Sequence, residues 1–182
     1  MRFGLARVAL AAMLGLAAAG CGELYGEPAK EADTPMAAEA AAPGAADPAQ
    51  MKAFLDKNAK AEGVTVLPSG VQYKVERSGP AGGESPKPGD EVKVHYHGTL
   101  IDGTPFDSSY DRGAPATFEV GRMVPGFDEV LQRMKPGDVW HVYIPPEQGY
   151  GDQGGGPIPA GSVLVFKLEM IGVLPKAASA NG

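Results

Sequence analysis

Phe106 stands directly beside Asp107 in the polar stretch Gly103 to Gly113, GTPFDSSYDRG, and Arg112 follows a few residues on. Two readings fit these residue types. One is a turn with a surface ion pair. The other is an apolar pocket with a small polar network at its wall. Few other groupings in the chain have the makings of chemistry. His95 and His97 project to one face of a strand pattern and His141 falls in another, so a histidine metal pair is conceivable. They occupy polar positions of half-buried strands, however, and no H-E-x-x-H or C-x-x-C accompanies them, which favours solvated histidines and no metal. The glycine run GDQGGGP lacks the G-K-[ST] of a phosphate loop and has no basic residue within it. The acidic pairs Asp107/Asp111 and Asp128/Glu129 suggest general acid–base work, but each also reads as a turn or a helix start. No G-x-S-x-G occurs, and the one cysteine, Cys21, lies far from these elements. No cofactor is expected.

What remains is aromatic. Tyr96, Phe106, Phe118, Phe127, Trp140, Tyr143, Tyr150 and Phe166 are spread over the folded part of the chain. Such a set is first of all a core. Two members resist that reading: Phe106 sits in a polar stretch, and Tyr150 sits in a glycine-rich loop, where binding residues concentrate.

The elements that must hold these residues are legible. GVQYKVE alternates Val71, Tyr73 and Val75 against polar neighbours, as a half-buried strand does. EVKVHYHGTL alternates Val92, Val94 and Tyr96, and TFEV is a short strand. VPGFDEVLQRMKPGD places Phe127, Val130, Leu131 and Met134 at helical spacing and stops at Pro136-Gly137. VWHVYIPP and VLVFKLEMIGV are further strands, joined by the loop EQGYGDQGGGPIPAG. Several antiparallel strands and one helix predict an α+β domain over residues 64–174, with the apolar face of the sheet wrapped around the helix. Upstream, Asp47 and Pro48 start an amphipathic helix over residues 48–63, ended by Gly63, with Met51, Phe54 and Leu55 on one face.

The rest of the chain reads as address and tether. Arg2 and Arg7 precede an apolar run from Val8 to Ala19, the anatomy of a secretory signal peptide over residues 1–20. The run ends in LAAAG before Cys21, which resembles the lipobox of bacterial lipoproteins. That resemblance implies lipidation of Cys21 and a cell-envelope location facing the periplasm, and Gly22, not Asp, favours the outer membrane. Residues 21–47, rich in Ala, Pro and Glu, lack the apolar surface to offset their ordering entropy and are expected to be a disordered tether. Residues 175–182 are expected to be a disordered tail. The net charge of −6 and the absence of a Lys/Arg cluster argue against nucleic acid as a partner.

Four blocks, VHYHGTLIDGTPFDSSYDRG, VPGFDEVLQRMKPGD, PPEQGYG and SVLVFKLEMIGV, follow in order and spacing the pattern of FKBP-type peptidyl-prolyl cis-trans isomerases. The lead-in FLDKNAKAEGVTVLPSGVQYKV resembles bacterial envelope members related to macrophage infectivity potentiators. The resemblance implies a strongly bent antiparallel sheet around one short helix, with a substrate pocket between them. Carried over position by position, it assigns catalytic places to Tyr96, Phe106, Asp107, Phe127, Tyr150 and Phe166. It assigns substrate-binding places to Arg112, Phe118, Met123, Val124 and Ile158. Ala116 stands where some relatives have a further Phe, so one wall is expected to be more open. The implied activity is rotation of X-Pro bonds in folding envelope proteins without covalent chemistry. The alternative is a chaperone module that holds prolyl segments with little turnover. Proline-containing polypeptides are the expected partners and macrolide immunosuppressants the expected inhibitors. The short, low-complexity N-terminal region points to a monomer, not to the helical dimers of the longer members.

Overall fold

The computed structural model describes residues 45–176. The expected signal peptide, Cys21, most of the expected tether and the last residues of the expected tail lie outside the described residues. The chain first forms helix α1, Pro48–Asn58. Asp47 sits in extended conformation at its start, and its carboxylate accepts from the Ala49 N–H at 2.9 Å, satisfying one of the orphan amides of the first turn. The helix stops at Asn58, short of the expected Gly63. The intervening residues form turns, and Gly63 takes φ +78°, which reverses the chain into strand β1, Val64–Val66. That reversal lays β1 antiparallel on β2, Gln72–Arg77.

The remaining strands are β3, Glu91–Thr99; β4, Pro105–Ser108; β5, Ala116–Glu119; β6, Val139–Ile144; and β7, Leu164–Leu174. They form one seven-stranded antiparallel sheet in the order β1-β2-β6-β7-β3-β4, with β5 also paired to β3. This is the expected α+β architecture. Register breaks between Val75 and Arg77, Lys93 and Val94, and Gly98 and Thr99 mark bulges, which bend strands and increase twist. The concave face so produced takes helix α2, Pro125–Leu131. Val92, Val94, Val142, Ile144, Leu168 and Met170 from the sheet, and Val130 and Leu131 from the helix, are fully buried between them.

Two further expectations change locally. The helical spacing through Met134 is real, but the last part is a turn: Met134, fully buried, donates to both Val130 and Leu131 carbonyls after the helix has ended. In β2 the expected alternation fades along the strand. Val71, just ahead of it, is buried and Tyr73 stacks on Trp140 at 4.4 Å, but Val75, near the bulge, is exposed. Gln72, on the opposite face, is buried instead. It donates to the Leu55 carbonyl at 3.0 Å and accepts from Asn58 at 2.9 Å, so α1 is bonded to the outer face of the sheet.

Strand β3 decides where the site lies. Its first half pairs with β5 and its last residues pair with β4, both on the same edge. Between the two partners the loop after β4 crosses Tyr96. The Ser109 N–H donates to the Tyr96 carbonyl at 2.9 Å, and Ser109 Oγ accepts from the Tyr96 N–H at 2.8 Å. The stretch from Gly103 to Gly113 is thus an edge strand followed by a pinned loop.

Candidate active site

The concave side of the sheet and the start of α2 enclose a cavity of about 590 Å³. Its floor is aromatic. Phe127, from the first turn of α2, and Phe166, near the start of β7, are 2% and 6% exposed and meet edge to face at 5.2 Å. Phe118 of β5 stands edge-on to Phe127 at 5.8 Å, and Phe106 of β4 edge-on to Phe166 at 5.5 Å. Perpendicular rings place positive edges on negative faces, so the cluster is held by geometry as well as by burial. Tyr96 joins it through Phe118 at 5.5 Å. Met123 and Val124, just ahead of α2, and Ile158 and the half-exposed Tyr150 also line it.

The loop ahead of α2 is set by Asp128. Its two carboxylate oxygens accept from the Gly121 N–H at 2.9 Å and the Met123 N–H at 3.1 Å. This acid is spent on folding the cavity wall. Its neighbour Glu129 accepts from Ser69 and Arg133, and Asp111 lies in a turn with its N–H on Ser108 Oγ. Neither acidic pair converges on the cavity.

Asp107 does line it. The Tyr96 hydroxyl donates to one of its carboxylate oxygens and Arg112 to the other, while Arg112 also donates to the Tyr96 oxygen at 2.6 Å. The guanidinium carbon lies 5.3 Å from the centre of the Tyr96 ring, close enough for a cation–π contact. Arg112 stands behind Asp107, outside the cavity lining. Partial burial pushes the Asp107 carboxyl up, but the hydrogen bonds from Tyr96 and Arg112 outweigh it and hold the group below the usual carboxylate range. Burial, and then the bond to Asp107, push the Tyr96 phenol up. At neutral pH the wall therefore carries a carboxylate and a neutral phenol donor, fixed by a guanidinium.

All eleven site residues expected within the domain fall in one place, ten on the cavity surface and Arg112 behind it. Cys21 lies outside the described residues. Arg122, Gly155 and Pro157 also line the cavity and were not expected. Nor was Gly98. A Cβ there would lie 2.7 Å from the Phe106 ring and 2.8 Å from that of Phe166, so the edge-to-face pair requires a glycine beneath it. Its signal was present: a glycine inside a strand pattern marks close approach. Gly155 plays the same part for Tyr150, whose ring would lie 2.9 Å from a Cβ at that position.

The histidines lie apart from this cavity. His95 bonds Ser109 at 2.9 Å and stacks on Tyr110 at 4.6 Å, and His141 bonds Glu76 at 2.8 Å beside Lys167. Among the described residues no cluster of three or more His, Cys, Asp or Glu is arranged to hold a metal ion.

Comparison with known proteins agrees with this geometry. Residues 82–171 match the family model for FKBP-type peptidyl-prolyl cis-trans isomerase, and residues 22–75 match the domain amino terminal to it. The chain is 48% identical over 126 residues to the peptidyl-prolyl cis-trans isomerase Mip of Coxiella burnetii, covering 69% of this chain and 54% of that one. It is 47% identical over 122 residues to the outer membrane protein MIP of Legionella longbeachae, covering 66% and 52%. The chain thus spans about half the length of these curated relatives. A solved peptidyl-prolyl cis-trans isomerase from Pseudomonas syringae pv. tomato is 31% identical with a TM-score of 0.64, over 69% of this chain and 92% of that one. With the bent sheet, the single buried helix and the aromatic cavity between them, these matches establish that the chain belongs to the family of FKBP-type peptidyl-prolyl cis-trans isomerases.

Proposed function

We propose that the chain accelerates cis–trans rotation of X-Pro bonds in unfolded or partly folded polypeptides of the cell envelope. One observation carries the reading: an ionised, doubly bonded Asp107 sits at the wall of a cavity that is otherwise aromatic. The barrier to amide rotation is about 18–20 kcal/mol because the planar amide is resonance-stabilised. Rotation breaks no σ bond and moves no proton, so it calls for neither nucleophile nor metal. Resonance and carbonyl polarity are both lost in the twisted transition state. A dry aromatic pocket strips water from the planar carbonyl and so favours the twisted form. Phe127 and Phe166 hold the prolyl ring, with Phe118 and Phe106 at its sides. Tyr150, whose side of the cavity is open to solvent, donates to a substrate carbonyl, and the Val124 N–H fixes a second. Asp107 faces the twisting amide as an electrostatic and orienting group. Its lowered pKa makes it a poor proton donor, which supports that role over acid catalysis. The same pocket would bind macrolide inhibitors.

The location follows from the leader. Cleavage before Cys21, lipidation of that residue and anchorage on the periplasmic side of the outer membrane accord with the charged, apolar and small-residue regions in sequence. One relative's name, outer membrane protein, points the same way. A Cys21→Ser variant that still incorporated labelled fatty acid would refute the anchor.

The activity is tested by protease-free refolding of a protein whose slow phase is a trans-to-cis prolyl step. Wild type in catalytic amounts accelerates that phase, and Asp107→Ala and Phe106→Ala do so far less. If wild type leaves the phase unchanged yet suppresses aggregation of the client, the domain is a holding module.

A further inference from the structure

The segment ahead of the domain reaches the cavity wall. Ile158 and Tyr150 sit at the two ends of a glycine- and proline-rich stretch that lies outside the sheet. Within it, Gly155 and Ile158 exchange backbone hydrogen bonds of 2.9 Å, Gly155 lies flat against the Tyr150 ring, and the Gly161 N–H donates to the Gly151 carbonyl at 2.9 Å. Two further bonds tie this loop to the N-terminal segment. The Ala46 N–H donates to the Ala160 carbonyl at 2.8 Å, and the Val163 N–H donates to Met51 Sδ at 3.4 Å. Met51 is the one buried residue of α1, 7% exposed. A gap of about 250 Å³ beside these contacts is bordered by Gln50 and Met51 of α1 and by Leu100, Pro159 and Val163.

We propose that Ala46 and Met51 are positioning residues for the substrate cavity: the N-terminal end of α1 clamps the loop that carries Ile158 and sets its distance from Tyr150. The other end of the helix is bonded elsewhere, through Asn58 and Leu55 to Gln72 on the outer face of the sheet. The two ends of α1 are therefore separable. The inference rests on the isomerase reading only for its kinetic readout.

The experiment uses the full chain and three variants, with refolding kinetics and amide hydrogen exchange read on each. In Met51→Ala, KM rises by about three- to tenfold with kcat within about twofold, because a binding wall is loosened while the Asp107 network is untouched. Met51→Leu restores the packing but not the sulfur acceptor of the buried Val163 N–H, so the KM returns only part of the way to the wild-type value. Asn58→Ala orphans a buried Gln72 oxygen and lowers stability but leaves KM at the wild-type value. Amides of Gly155 to Val163 exchange faster in Met51→Ala and not in Asn58→Ala. A wild-type KM in Met51→Ala, or an equal rise in Asn58→Ala, overturns the clamp. If wild type itself fails to catalyse refolding, the isomerase reading falls. The exchange data then decide the clamp alone, and an unchanged loop in Met51→Ala overturns it.

Discussion

Replacing Gly98 by alanine tests whether the cavity depends on ring geometry and not merely on aromatic content. Gly98 lies on β3 opposite Phe166 on one side and Asp107 on the other. Its φ is not in the left-handed region, so alanine meets no backbone penalty there. The cost is steric. A Cβ would stand 2.7 Å from two atoms of the Phe106 ring and 2.8 Å from one of Phe166. Carbon atoms rest at about 3.5–4.0 Å, so each ring must retreat by about 1 Å. Phe166 is buried and cannot leave, whereas Phe106 is half-exposed and can swing outward. Overpacking of this kind costs about 1–3 kcal/mol. The reduced freedom of alanine in the unfolded chain offsets about 0.4–1 kcal/mol of that. The net loss of about 1–2 kcal/mol corresponds to a Tm lower by about 3–8 °C for a domain of this size. Catalysis should suffer more than stability, since a displacement of about 1 Å at a binding wall costs tenfold or more in kcat/KM. Calorimetry and the prolyl-limited refolding assay measure the two effects. Combining Gly98→Ala with Phe106→Ala removes one of the two clashes, so the pair should be non-additive by about 0.5 kcal/mol or more in stability. Wild-type kcat/KM in Gly98→Ala would refute the geometric reading, whatever the Tm.

Asp107→Asn keeps the shape and removes the charge. It should lower kcat/KM by about tenfold to a hundredfold and leave the Tm nearly unchanged, because the Asp107 side chain is 44% exposed. The pH dependence follows from the direction of its shift. The folded pKa lies below the unfolded one, so the contribution to stability is present above about pH 4 and is lost as the pH falls through the depressed folded value. With Tyr96 raised as well, kcat/KM should be flat from about pH 5 to pH 9, and a bell centred near neutrality would contradict a charge-fixed wall. Asp138 offers a contrast away from the cavity. It is 2% exposed and accepts from the Gly79 N–H, the Lys135 N–H and Lys135 Nζ at 2.7, 3.0 and 2.8 Å. Asp138→Ala should cost about 2–4 kcal/mol in denaturant unfolding and leave kcat/KM unchanged, and reduced kcat/KM in the folded variant would show that the two regions are coupled.

Much of this protein is local in origin, and local features are legible in order along a chain. Alternation at Val92, Val94 and Tyr96 reports a strand with one buried face, whatever its neighbours are. Helical spacing from Phe127 to Leu131 and the Asp47-Pro48 start reported helices for the same reason. The order of Phe106, Asp107 and Arg112, with Phe127, Tyr150 and Phe166 downstream, sufficed to suggest a pocket through the family pattern. What the chain could not report were facts that depend on which segments meet. Whether Phe106 and Asp107 belonged to a surface turn or a pocket wall turned on β3 sharing one edge between β4 and β5, a pairing across distant residues. Gly98 became necessary only once two rings from different strands closed over it. Gln72, polar and inside an apolar alternation, became buried because α1 supplied both its partners. The reach of Met51 and Ala46 to the loop of Ile158 joins positions more than a hundred residues apart. Periodicity is written by each segment's own exposure to water, whereas these contacts are decided by how bulged strands curve around a helix, and only the folded chain carries that curvature.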